Sequence, residues 1–94
     1  MTANEAIREA IDTYLNSNDY LPEKLKAQLT DWAHLDRNVL VKEGLEEAIK
    51  NSTISPLQLE GLTNSAADTQ EDVDQFLKSL WAYVYEDGPE PELG

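Results

Sequence analysis

The chain has 94 residues, of which 19 are acidic and 7 basic, for a net charge of −12, and it contains no cysteine. That length sets a single domain with a modest core. The missing cysteine excludes disulfides, thiolate chemistry and cysteine-based zinc sites, and the charge excludes a basic patch for nucleic acid or for an anionic membrane.

The first element is a helix from about Ala3 to Leu15. Ala3, Ala6, Ile7, Ala10, Ile11, Tyr14 and Leu15 recur at steps of three and four, which places them on one helical face. The run NSND at residues 16–19 ends it with turn-forming residues. A second helix is expected to start at Pro22, whose fixed φ suits a first helical position. Its stripe is Leu21, Leu25, Leu29, Trp32 and Leu35, with Gln28 inside the stripe and His34 directed to solvent. Asp36 is expected to cap a third helix, with Leu35 and Leu40 at the spacing of a hydrophobic staple. Val41, Leu45, Ala48 and Ile49 form its apolar face, and Glu46 and Lys50 an i,i+4 ion pair. Gly44 lies mid-helix, either because a neighbouring helix approaches closely or because the helix breaks there.

The run ISPLQL carries the clearest local signal. Ser55 is an N-cap, Pro56 the first helical residue, and Gln58 completes a capping box. This short helix is expected to end between Gly61 and Asn64. Thr69 then caps a last helix with Asp72 at the third position. Val73, Phe76, Leu77, Leu80, Trp81 and Val84 are its core stripe, so both Trp32 and Trp81 are expected to be largely buried. Tyr83 and Tyr85 flank that stripe and widen the apolar arc to about 200°, beyond what a surface helix needs. Either they bury their rings with the hydroxyls outward, or they form a contact surface. The closing EDGPEPELG holds two prolines, two glycines and four acids, the composition of a disordered tail. The fold class expected is all-α: a compact bundle of four longer helices and one short helix over residues 1–86, with a flexible acidic tail over 87–94.

Little in the sequence supports catalysis or cofactor binding. His34 is the sole histidine, the acids of DTQEDVD lack the glycine and spacing of a calcium loop, and no glycine-rich phosphate loop is present. Ser55 at a helix start is explained as a cap, and Ser-Pro-Leu differs from the Asp-Ser-Leu of carrier proteins. The expectation is no enzyme, no cofactor and no metal. The N-terminal run MTANEAIREA has neither the basic nor the apolar part of a signal peptide, and no stretch approaches the roughly 20 apolar residues of a spanning helix. The expectation is therefore a cytoplasmic protein.

The charge is uneven. Residues 1–59 hold ten acids against six bases, net −4; residues 60–94 hold nine acids against Lys78 alone, net −8. Solubility is one explanation. The other is a partner protein with a basic surface, which the acids attract and the aromatics hold. The expected contact residues are Asp68, Glu71, Asp72, Asp74, Tyr83, Tyr85, Glu86 and Asp87, on a monomer that binds neither nucleic acid nor membrane directly. In size, helicity and charge the chain resembles the immunity proteins that block colicin nucleases, although its short helix reads PLQLEGL where theirs carries a Tyr-Tyr-Pro signature. The resemblance implies an inhibitor, or nucleic-acid mimic, that caps a basic groove of a nucleic-acid-handling protein. The alternative is a helical adaptor or homo-oligomerising module that uses the Trp81–Tyr85 surface.

Overall fold

A computed structural model describes residues 1–31, 35–65 and 67–91. It begins with α1, Ala3–Tyr14. Thr2 accepts from the Glu5 N–H at 3.1 Å while the Glu5 carboxylate accepts from the Thr2 N–H at 3.3 Å, a reciprocal cap on two otherwise unpaired donors. Ala6, Ile7, Ala10 and Ile11 are its buried face.

The turn at NSND is the tip of a two-stranded antiparallel hairpin, β1 (Leu15–Asn16) and β2 (Asp19–Tyr20), with Leu15 opposite Tyr20. Two-residue strands are too short to show an alternating pattern. Their role is local. Ser17 donates its N–H to the Thr63 carbonyl at 2.6 Å, and the Asn16 amide donates to the Leu62 carbonyl at 3.1 Å. The hairpin thereby satisfies carbonyls at the end of a distant helix that has no partner for them within itself.

Helix α2 spans Pro22–Leu29 and is shorter than the stripe suggests. Thr30 explains the stop: its hydroxyl donates back to the Lys26 and Ala27 carbonyls, and the Asp31 N–H takes the Gln28 carbonyl in a tighter i→i+3 bond. Trp32 and His34 lie outside the described residues. Helix α3 is Leu35–Asn51, two residues earlier than a cap at Asp36 implies, so Asp36 sits inside its first turn and not at the cap. The Asn38 amide is buried and donates to the Asp31 carbonyl at 2.9 Å, tying α3 back to the end of α2. Lys50 and Glu46 form the expected pair at 3.0 Å.

The helix continues through Gly44 without a break. A Cβ there would fall on the Ala3 carbonyl and within 2.9 Å of Ile7 Cγ2, so glycine is what lets α1 lie against α3. That pair is the main packing contact of the fold. Helix α4, Pro56–Thr63, has the expected capping box, with Gln58 N–H to Ser55 Oγ at 3.2 Å and Ser55 N–H to Gln58 Oε1 at 2.8 Å. It stops at Asn64 in the left-handed region. Helix α5, Gln70–Tyr85, is capped by Thr69 and Asp72. The described elements are therefore three helices of 12 to 17 residues and two of eight, where four longer and one short were expected.

Ile7, Ile11, Leu15, Leu25, Leu45, Ile54, Leu59, Val73, Leu77 and Leu80 belong to one core to which every helix contributes, α4 through Leu59. Trp81, expected in that core, is half-buried at its edge, because the α5 positions that face inward are Val73, Phe76, Leu77, Leu80 and Val84. Among the described residues no helix is long and apolar enough to cross a membrane.

Candidate functional site

The α5 helix sorts the expected contact residues onto different sides. Tyr83 and Tyr85 are two positions apart, about 200° around the axis. They are half-buried on opposite flanks. Tyr83 lies under Lys26 of α2, whose ammonium is 4.9 Å from the ring centre. Tyr85 packs on Trp81 with ring centres 4.5 Å apart, and Lys42 of α3 stands 5.1 Å from the Tyr85 ring and 5.7 Å from Trp81. Each tyrosine is thus engaged within the molecule. The Tyr85 hydroxyl is buried without a partner, and burial pushes its pKa up to about 12.

The carboxylates divide in the same way. Asp74 sits on the Tyr85 side and accepts from the Gln70 amide at 3.2 Å; the same amide reaches the Ile54 carbonyl at 3.0 Å and holds α5 to the start of α4. Glu86 lines a depression of about 250 Å³ that also holds Lys50 and Lys78, so its surroundings are electrically mixed. Glu71 is exposed on the outer face. Asp87 pairs with Lys26 at 3.2 Å, but its side chain is 94% exposed, and such a surface pair contributes little. Among the described residues, Asp68, Glu71, Asp74 and Glu86 have no ion pair.

Asp68 and Asp72 are brought together, along the Phe76 flank, in a groove of about 650 Å³. Leu59 of α4 and Phe76 supply its apolar floor, with Ser79 and Ala82 farther along α5. Its remaining wall is the segment Pro89–Pro91. Residues 87–91, expected as the beginning of a flexible tail, turn back along α5. Asp87 adopts a φ of 54°, the Gly88 N–H donates to the Ala82 carbonyl at 2.8 Å, and the Tyr20 hydroxyl donates to the Pro91 carbonyl. Pro91 is buried. A Cβ on Gly88 would stand 3.0 Å from Ala82 Cβ, so the return runs close against α5 and a side chain there would need a shift of a few tenths of an ångström. Pro89 and Pro91 have no N–H to leave unpaired against the helix.

Glu90, Ser79 and the open edge of Phe76 are the groove residues that sequence reasoning missed. Phe76 reads as an ordinary core position by periodicity. Glu90 belongs to a Pro/Gly/Glu run whose composition signals disorder. Neither signal carries the fold-back, which depends on Tyr20 arriving from the hairpin. Among the described residues no group of three or more acids or histidines converges closely enough to hold a metal ion. No protein-family model, no curated protein and no solved structure matches this chain.

Proposed function

We propose that the protein binds and caps a basic surface of another protein, in the manner of an acidic inhibitor or nucleic-acid mimic, without catalysing a reaction. The observation that carries this reading is the charge of the groove side of the molecule. Asp68, Asp72 and Glu90 line the groove with no lysine or arginine among its walls, in a chain segment of net charge −8. A surface of that kind repels phosphates and raises the local concentration of cationic partners. Steering by the outer carboxylates accelerates encounter, and the apolar floor slows release.

The test is charge reversal away from the groove and the core. Glu71→Lys with Glu86→Lys leaves the buried stripe of α5 intact and removes four units of negative charge. With the native partner captured from cell extract, association should slow and its salt dependence should flatten, because steering weakens with the exposed charge. A double variant that associates as fast as the parent, with the same salt slope, would overturn the proposal.

The groove also favours a second reading, an adaptor whose contact is chiefly apolar. Its floor offers Leu59 and Phe76, whereas the Trp81–Tyr85 surface is already covered in part by Lys42. In that case affinity should survive high salt.

A further inference from the structure

We infer that the groove between the Phe76 flank of α5, the end of α4 and the Pro89–Pro91 wall is the docking site for a short basic segment of a partner protein, one that carries an apolar side chain between its cations. This rests on the reading above that the partner is basic, and it names the place and the form of contact.

Three observations converge on it. The first is shape. About 650 Å³ lies open on one side beside α5, within the range that holds a short peptide stretch, and the opposite wall is extended chain pinned at both ends. The second is the floor. Phe76 keeps the largest exposure of the α5 core residues, 9%, and it faces the groove beside Leu59. Both are core residues that show the groove only an edge, Leu59 at 4% exposure, so an apolar side chain seated there would extend the core outward, with Ala67, Ala82 and Pro89 also lining its place. The third is charge. Asp68 and Asp72 stand at the α4 end and Glu90 in the tail wall, with no cation between them.

The spacing of those carboxylates decides among ligands. They do not converge on a point, as a single metal ion would require. They are distributed along the groove, which suits separate lysine or arginine side chains. A phosphate or nucleic acid would meet only negative charge. The helix cap leaves Asp72 available, since the Thr69 N–H takes Oδ2 and Oδ1 remains free.

The experiment uses the full chain and two synthetic peptides of equal positive charge. One alternates lysine and arginine with leucine; the other has serine in place of each leucine. Titration calorimetry at low ionic strength should show the leucine peptide binding about tenfold more tightly, the increment for burying one such side chain. Ser79→Trp fills the groove from an exposed α5 position without altering charge. It should abolish the tenfold preference and leave binding of the serine peptide unchanged, with circular dichroism and melting confirming the fold. Glu71→Lys with Glu86→Lys should weaken both peptides alike.

Equal affinity for the two peptides, or a preference that survives Ser79→Trp, would overturn the groove assignment while leaving the basic-partner reading in place. Failure of both peptides to bind at low salt would defeat both. A dimer of the free protein that Ser79→Trp converts to monomer, seen by sedimentation, would make a second copy the occupant and overturn the peptide assignment.

Discussion

Glycines 44 and 61 lie inside helices, and their surroundings assign them opposite consequences. Alanine gains about 1 kcal/mol over glycine from helix propensity alone. At Gly61 nothing lies within 4 Å of the added methyl, so Gly61→Ala should raise the melting temperature by several degrees. At Gly44 the methyl meets the Ala3 backbone, which cannot move without separating α1 from α3. Overpacking of that kind costs about 1–3 kcal/mol or more, so Gly44→Ala should lower the melting temperature despite the propensity gain. Tyr85 makes a pH-dependent prediction at the same scale. Its folded pKa of about 12 exceeds the ordinary 10.0, so above pH 10 the unfolded chain releases a proton that the folded chain retains. Stability from this group is complete below pH 10 and is lost as pH rises to about 12. Ultraviolet titration of phenolate should show a late component that shrinks by one tyrosine in Tyr85→Phe. The same substitution should not destabilise at neutral pH, since it deletes a buried hydroxyl that has no partner.

At the scale of elements, the β1–β2 hairpin and α4 behave as one unit because the hairpin supplies donors for the last carbonyls of the helix. Asn16→Ala removes the bond to the Leu62 carbonyl and also the acceptor for the Asn18 N–H at 3.0 Å. It should cost about 1–3 kcal/mol, since a partly buried carbonyl is left unpaired. Hydrogen exchange should then speed up in α4 as well as in the hairpin; faster exchange confined to the hairpin would contradict the coupling. The α4 start is a separate contribution, where Ser55→Ala should cost about 1 kcal/mol. Both eight-residue helices are too short to persist alone, so their order comes from docking.

For the whole molecule, charge sets the response to salt. The three ion pairs among the described residues lie at the surface, and since each matches one acid with one base they leave the whole of the −12 uncompensated. Self-repulsion should therefore be relieved by screening, and the melting temperature should rise between low salt and ~0.15 M, where the Debye length falls to ~8 Å. A melting temperature that falls with salt would mean that specific pairs outweigh repulsion. The C-terminal return also belongs to this scale. The Gly88 amide should exchange more slowly than a free chain end. Tyr20→Phe should accelerate it by releasing Pro91, and should broaden the groove without unfolding the body.

Local sequence determined much of this protein by itself. The Ser55 and Thr69 boxes, the Pro22 and Pro56 starts, and the stripes of α1, α3 and α5 are each written within a few neighbouring residues, because caps and periodicity are short-range physics. The Thr2–Glu5 box carries the same S/T-x-x-E signature and was equally legible. Tertiary structure decided what depends on residues far apart in the chain. Leu25 and Leu29 continue in stripe to Leu35, yet α2 stops at Leu29 because Thr30 and Asp31 bond back to its last turn. Gly44 is required by Ala3, the hairpin serves α4, and Tyr83 and Tyr85 are claimed by Lys26 and Lys42. Asp68 and Asp72 were visible as acids, but their groove has its outer wall in a segment that composition alone would leave free. The Gly88 bond to Ala82 closes the end of α5 locally, over six positions, but Tyr20 holds the segment down through a bond spanning 71 positions, which no local pattern encodes.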